Sequence, residues 1–372
     1  MDWFVVESMR NLHNNGFDIT LICNMDEDFI SRNKDFATCI NLPMDRGIKI
    51  GDIFRCTKEL TKIFRQEKFD IIYYMTPNVS FYAAIAGKRA GIKNRIYCQN
   101  GIRYVSEKGL KRLAFKTVEK VICKDSTTIR SQSPLNMQFA IDEHLCHPNK
   151  IKVLGIGGTI GVDFSFCDSF DSREMKKTIR NKLGIPESAF VFGYVGRLNA
   201  DKGSNELIEA FEQVAKEIDD VYLLHVGIDD LTNPISKKNR DLLCSDRRII
   251  QSGNVPPNDV YLYMSAFDVL VHPTYREGFG KTLQEAMGMS LPIITTDVPG
   301  PKEVVVDGIS GVLVPSRDVD SLSEAMKMLY RNEDKRHKIG QAGRERALQN
   351  FERKKMLNNI LVDLCDIVKS SD

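Results

Sequence analysis

Glu277 and Glu285 stand eight positions apart around a Gly278-Phe279-Gly280 turn. The turn follows the apolar run Asp268–Val271, then His272 and Pro273, and it leads into a helical pattern. Glycines let a backbone approach a ligand closely. The free N–H groups and positive dipole end of a new helix suit a phosphate. An ionised glutamate only accepts hydrogen bonds, so two of them beside such a turn are suited to sugar hydroxyls. The outline is that of a nucleotide-sugar site.

A matching half-site lies upstream. Val191 to Gly196 reads as a buried strand, with Arg197 at its carboxyl end and Lys202 in the loop before the next helix. Ligands of open α/β sheets sit outside the carboxyl ends of the strands. Arg offers a planar fork to a diphosphate and Lys a point charge. Alone, two cations five residues apart also read as ordinary loop charges.

Short apolar runs alternate with helical patterns along the whole chain, which implies α/β architecture with parallel sheets and helices on both faces. The first-half runs are Ile19–Cys23, Phe36–Ile40, Asp70–Met75, Arg95–Cys98 and Ile151–Leu154. Those of the second half are Phe190–Val195, Tyr222–Val226, Ile249–Gln251, Asp268–Val271, Pro292–Thr295 and Val312–Val314. A helix over 50–67 is expected to share a face of Ile50, Ile53, Phe54, Leu60, Ile63 and Phe64. A second, over 204–217, is expected to be capped by Ser204 and to bury Leu207, Ile208, Phe211 and Val214. The glycine-rich stretch Gly155–Gly161 and the polar stretch Asp168–Arg180 read as a linker and a lead-in helix. The expected domains are 1–160, 161–350 and a C-terminal helix, 351–372, that crosses back to the first. A doubly wound domain begins with a strand and a glycine turn. Here Asp2–Asn15 already reads as the first helix, so the first strand of the N-terminal domain is expected to be missing from the chain as given.

The 372 residues are too many for one ordinary core. No run of about 18 apolar residues is long enough to span a membrane, and the N-terminus lacks a signal-peptide pattern. Nine scattered cysteines without a C-x-x-C pair read as reduced thiols of a cytoplasmic protein. Residues 1–150 hold 23 Lys and Arg against 17 Asp and Glu. Residues 88–130 are the most basic, with 12 Lys and Arg against Glu107, Glu119 and Asp125. Within them Leu110, Leu113, Ala114, Phe115, Val118, Val121 and Ile122 recur at helical spacing. A basic amphipathic helix can rest on an anionic leaflet or bury its apolar side in its own domain, and both readings stand.

Some patterns mimic metal sites. Asp318-Val319-Asp320 and Asp26-Glu27-Asp28 have D-x-D spacing, but the first precedes a helical run and reads more simply as capping. His144, Cys146 and His147 match no zinc spacing. His272 reads as a group that packs against or orients the turn. No metal and no cofactor are expected.

The run Tyr194 to Gly203, followed by Arg276 to Gly280, Glu285-Ala286, Gly288, Leu291-Pro292 and Asp307-Gly308, resembles the retaining family 4 glycosyltransferases of GT-B fold, two Rossmann-like domains facing a cleft. Residues 150–345 carry most of the resemblance, which is greatest to bacterial enzymes of capsule, O-antigen or lipid-linked oligosaccharide synthesis. The resemblance implies that Arg197 and Lys202 hold a donor diphosphate, with Gly196 beside them, and that Glu277 faces the donor sugar. It implies backbone N–H groups from Gly278, Phe279 and Gly280, with Lys281 and Thr282 in the first helical turn, and Glu285 on the ribose. Asn254 and Val255 fall where such enzymes hold the base. Asn100, Gly101 and Arg103 fall on the acceptor side.

Many relatives carry His-Gly where this chain reads Asn100-Gly101, and Asn cannot shuttle a proton near neutral pH. That departure and the missing strand put acceptor-side chemistry, not donor binding, in question. The implied reaction is metal-independent transfer of a sugar from a nucleotide diphosphate, with UDP the commonest carrier, to a saccharide on a polyprenyl diphosphate. It would proceed with retention, on the inner face of the cell membrane and without nucleic acid. A GT-B nucleotide-sugar epimerase and a catalytically impaired nucleotide-sugar-binding subunit are the rivals.

Overall fold

The computed structural model of the chain describes residues 2–44, 50–106, 108–169 and 171–370. The chain divides into two compact units, Met1–Ile160 with Lys354–Asp372, and Gly161–Arg353. Among the described residues, twelve strands, all parallel to their neighbours, make three sheets.

In the first unit the strands are β1 (Ile19–Cys23), β2 (Ala37–Asn41), β3 (Ile71–Met75), β4 (Asn94–Gln99), β5 (Thr128–Ser131) and β6 (Ile151–Val153). They fall into two sheets, β1-β2 and β3-β4-β5-β6, not one. Between the sheets, side chains take the place of a backbone ladder. Ile19 of β1 and Ile71 and Tyr73 of β3 pack with Leu12 and Leu364 in one apolar cluster. Strand β5 has no counterpart among the expected runs, because Thr128-Ile129-Arg130-Ser131 holds a single apolar side chain.

Arg130 is nonetheless buried. It donates from Nε and Nη2 to the two carboxylate oxygens of Asp363 at 2.6 and 2.8 Å, and Lys152 lies 2.5 Å from the same carboxylate. These bonds fasten the C-terminal helix Arg353–Lys369 to β5 and β6. Removing one partner of such a buried pair would strand the other charge.

The helix Ile50–Glu67 has the expected bounds, and Ile53, Leu60, Ile63 and Phe64 of the expected face pack into the core, but Phe54 does not. Phe54 is 72% exposed, while Cys56, Thr57, Leu60 and Phe64 are buried. The inward stripe runs 53, 56, 57, 60, 64 in steps of three and four, and Phe54 falls outside it. The side chain of Ile50 lies outside the described residues.

In the second unit β7 (Phe190–Val195), β8 (Val221–Val226), β9 (Ile249–Gln251), β10 (Val269–His272), β11 (Ile293–Thr296) and β12 (Val312–Val314) form one sheet in the order β12-β11-β10-β7-β8-β9. Alternate side chains of β7 feed different cores. Val191 and Val195 join one with Leu283 and Met287, and Phe192 and Tyr194 join the other with Phe211 and Leu322. Both faces are thus covered, as an all-parallel sheet requires.

The helix Ser204–Glu217 buries Leu207, Ile208, Phe211 and Val214 as expected. Its cap is Gly203, not Ser204. Gly203 takes the left-handed conformation there, and the Ser204 hydroxyl turns back to accept from the Asn199 N–H at 3.2 Å. The polar lead-in stretch becomes the helix Ser172–Leu183, capped by Asp171. Its Arg180 is fully buried, donating to the carbonyls of Ala266, Glu187 and Ala189 and to Asp268.

Candidate functional site

The strand ends of the second unit converge on two loops. One leaves β7 through Gly196 and Arg197 and returns at Gly203. The other leaves β10 at His272 and runs to Gly280. Gly203 has φ +70°, and a Cβ there would lie 1.8 Å from the Pro273 carbonyl oxygen. Only a glycine lets the two loops touch at this point. Three bonds join them nearby: Tyr275 N–H to the Asp201 carbonyl at 3.0 Å, Arg276 to the Asp201 carboxylate at 2.9 Å, and the Tyr275 hydroxyl to Glu206 at 2.5 Å. The consequence is that Lys202 reaches across and pairs with the Glu277 carboxylate.

Glu277 also faces His272, whose Nε2 lies 3.6 Å from the same oxygen. Burial alone would raise the carboxyl. The Lys202 charge outweighs it, helped by the facing His272 ring and the Lys202 hydrogen bond, and holds the group well below the usual carboxylate range. Burial lowers His272, so its ring is neutral at neutral pH. The Tyr194 ring stacks against it at 6.1 Å and against His225 at 5.4 Å. His272, read from sequence as a group that packs or orients, sits at this point of contact.

Arg197 has a different partner. One of its terminal nitrogens donates to Asp230, in the loop after β8. The Asp230 carboxylate also accepts from the Thr232 hydroxyl at 2.6 Å, the Thr232 N–H at 3.1 Å and the Asn199 amide at 3.1 Å. The Thr232 hydroxyl bond is the largest reason its pKa falls to about 2. The anion is thus fixed by its own loop, and the half-exposed Arg197 leans on it. Asp230, Thr232 and Asn199 carry no sequence signal, since nothing in residue type or spacing links residue 230 to residue 197.

Past Glu277 the backbone turns into the helix Lys281–Gly288, with Gly280 at its cap in a left-handed conformation. The Phe279 ring is core, edge-on to Phe351 at 5.7 Å, so only its backbone is available to a ligand. Lys281 pairs with the buried Glu285 at 2.5 Å one turn on. Thr282 is half-buried in the same first turn. Gly300 braces the turn from behind, where a Cβ would lie 2.9 Å from the Glu277 carbonyl oxygen. The Glu303 carboxylate in turn accepts from the Gly300 N–H at 3.0 Å. Asn254 and Val255 follow β9 in a loop tied by the Gly227 N–H to the Gly253 carbonyl at 3.1 Å. Asn254 is exposed, and Val255 packs on the core.

The D-x-D mimics resolve into helix ends. Asp318 caps the helix Val319–Arg331, Asp320 lies inside its first turn, and Asp26 caps Glu27–Asn33.

In the first unit Asn100 follows β4 and accepts from the Gln132 amide, which follows β5. Both line a cavity with Met75, Cys98, Arg130 and Ile160. Gly101 has φ +120°. Arg103 opens the short turn Arg103–Ser106, and its side chain lies outside the described residues.

This arrangement matches known proteins over most of its length. Residues 175–346 match the family of glycosyl transferases group 1, and residues 2–133 match the glycosyl transferase 4-like family. The chain is 29% identical over 340 residues to the capsular polysaccharide biosynthesis glycosyltransferase CapM of Staphylococcus aureus, covering 91% of this chain and 87% of that one. It is 26% identical over 326 residues to the UDP-Gal:alpha-D-GlcNAc-diphosphoundecaprenol alpha-1,3-galactosyltransferase of Escherichia coli, covering 86% and 82%. Among solved structures, Anabaena HepE in complex with UDP-glucose superposes with a TM-score of 0.81 at 18% identity, over 98% of this chain and 95% of that one. WaaG, a glycosyltransferase involved in lipopolysaccharide biosynthesis, superposes with a TM-score of 0.75 at 17% identity, over 96% and 94%. These likenesses establish the GT-B fold.

Proposed function

From a chain that belongs to the group 1 glycosyltransferases of GT-B fold, with a 4-like first half, we infer an enzyme of cell-surface polysaccharide synthesis that transfers a sugar from UDP to a saccharide on polyprenyl diphosphate. Its anomeric configuration is retained. The observation that carries the reading is the Lys202–Glu277–His272 cluster at the end of β10, beside the Arg197 strand end.

Arg197 and Lys202 take the diphosphate, and the N–H groups at Gly278, Phe279 and Gly280 add donors from the helix end. Glu277 accepts from sugar hydroxyls, Glu285 from the ribose, and the Asn254–Val255 backbone holds the base. As the bond between the anomeric carbon and the diphosphate oxygen breaks, charge grows on the leaving group where these fixed cations already stand. They do the work a divalent ion does elsewhere, so transfer proceeds without a metal. The acceptor hydroxyl attacks from the face the diphosphate leaves, its proton passing to a phosphate oxygen. Asn100 and Gly101 serve the acceptor side, and an acceptor carried on a lipid places the enzyme on the inner membrane surface.

The test is transfer from a panel of UDP-sugars to a polyprenyl-diphosphate saccharide in EDTA, with product configuration read by NMR. Retained configuration and metal-free turnover support the reading. Binding of UDP-sugars without transfer to any acceptor would make the chain a binding subunit, and an absolute manganese requirement would remove the role given to Arg197 and Lys202.

A further inference from the structure

Glu277 engages two of the groups that the donor reading gives to a diphosphate. Its Oε2 accepts from Lys202, and its Oε1 accepts from the Gly278 N–H at 3.2 Å. A diphosphate that takes Lys202 therefore takes the cation of Glu277. A half-buried carboxylate deprived of its cation needs another donor. His272 faces the same oxygen. Its Nε2 lies 3.6 Å from Oε2, beyond hydrogen-bond length. The side chain is 3% exposed, and neither ring nitrogen has a hydrogen-bond partner among the described residues. A buried polar atom without a partner is uncommon and costs stability.

The other histidine of the same stack makes the contrast. His225, Tyr194 and His272 lie ring against ring, with interplanar angles of 28° and 29°. At one end the His225 Nε2 donates to the Gly196 carbonyl at 2.9 Å. At the other end His272 is held by Tyr194 and by the Thr295 hydroxyl, which donates to the His272 carbonyl at 2.8 Å. Stacking accounts for a flat ring at residue 272, but not for an imidazole. A phenyl group would fill the place without burying two nitrogens.

We propose that His272 is a positioning residue that receives Glu277 when a diphosphate claims Lys202. The ring stays in its stack and the carboxylate moves. A shift of about half an ångström brings Oε2 within hydrogen-bond length of Nε2. The neutral imidazole donates from Nε2, as the tautomer that carries its proton there. A bond of this kind to an ionised acceptor is among the stronger ones. It keeps the carboxylate charged and aimed at the sugar, while Lys202 and the Gly278 N–H turn to the phosphates. Without it, the arriving diphosphate would strip a half-buried anion of its partner, at a cost to its own binding. The proposal rests on the diphosphate role given above to Lys202.

The test joins NMR of the imidazole nitrogens to calorimetry with UDP. The chain has 6 histidines, and His272→Phe identifies the signal of interest by its loss. On saturation with UDP the His272 Nε2 proton should move downfield as the bond to Glu277 forms. Lys202→Met should show the moved signal without UDP, because its Glu277 has already lost the cation. His272→Phe keeps the stack but not the donor and should weaken UDP about tenfold. His272→Gln restores an N–H and should bind UDP within about threefold of wild type. In a Glu277→Ala background, His272→Phe should change UDP affinity no further. A His272 signal unmoved in UDP-saturated wild type overturns the proposal, whether or not the variants fold. Equal losses in the Phe and Gln variants, or a loss that persists without Glu277, would reduce His272 to packing and overturn it too. In each of these cases intact UDP binding by the wild type leaves the donor reading standing. A wild-type protein that binds no UDP would overturn that reading and the proposal with it.

Discussion

At the ends of β7, β8 and β10 the second unit sets ionised pairs, Arg197 with Asp230 and Lys202 with Glu277, and a turn later Lys281 with Glu285. At the ends of β4 and β5 the first unit sets a pair of neutral amides, Asn100 and Gln132. Its own buried ion pair, Arg130 with Asp363, holds a helix in place. The two units use one building plan to different ends. Where charge must be met, cations are held in advance by carboxylates that fix their direction. On the proposed reading a neutral acceptor hydroxyl is positioned by amides, which both donate and accept. The first arrangement costs more to build, because each carboxylate needs its own shell of donors.

The contrast can be broken most severely at Gly203. Gly203→Ala should destabilise the second unit by about 3 kcal/mol, since a left-handed φ and a clash with Pro273 combine. Gly184→Ala is the control: its φ is +68° but nothing lies within 4 Å, so it should cost about 1 kcal/mol. Urea denaturation with a probe in the second unit reads both, and equal losses would mean that the loop contact is not what Gly203 provides.

Lys202→Met should come next. It leaves Glu277 half-buried without its cation and should weaken UDP about tenfold or more by calorimetry. The sign of the acid limb follows from the depressed Glu277 carboxyl. The pair's contribution is present above the ordinary carboxylate pKa and is lost as pH falls through the lower folded value. In the variant that carboxyl titrates at higher pH, so stability is lower near neutral pH, less of it remains to be lost on acidification, and the acid limb should flatten. Wild-type UDP affinity in Lys202→Met would remove the lysine from the site.

The two glutamates should separate by kinetics. Glu277→Gln should mainly lower kcat, because in its proposed role it faces the sugar where charge develops. Glu285→Gln should mainly raise the donor KM, because ribose contacts change little in the transition state. The reverse pattern would exchange their roles.

Asp230→Asn should be milder still. Arg197 loses its charged anchor, and UDP should weaken about fivefold, in line with ordering one side chain. In the Arg197→Ala background the same change should do nothing more. The wild-type carboxylate, with a pKa of about 2 against an ordinary 3.8, stabilises the fold above about pH 4 and loses that contribution as pH falls towards 2. Asp230→Asn should flatten this part of the acid limb. Tighter UDP binding in the variant would show that Asp230 merely screens the arginine.

Asn100→Ala should have the smallest effect. UDP affinity should stay within about twofold of wild type, while acceptor KM rises several-fold through one lost hydrogen bond. A large fall in UDP affinity would end the division of labour between the units.

Much of this was legible in the sequence where one residue type dominates a local pattern. Strand β7, the helix Ser204–Glu217 and the turn at Gly278–Gly280 all rest on apolar period or glycine. What escaped depends on distant partners. Strand β5 hides its burial behind Arg130, which is readable only once Asp363 is placed beside it. Phe54 looked like core because it is large, yet the helical phase of Cys56 and Leu60 turns it outward. Asp230 is one acid in a loop until the sheet order brings β8 beside β7.

The bond between Arg130 and Asp363 joins residues 233 positions apart. On a ribosome the first unit's strands emerge before the second unit, and the helix that covers them emerges after it. The second unit has its whole sheet available as soon as residues 161–353 have been made. Contacts between such distant residues pay a large loop-closure entropy and form late. The first unit must therefore wait until the second has been made, with Ile96, Leu12 and the uncovered face of β5 open to misassociation until the helix Arg353–Lys369 docks.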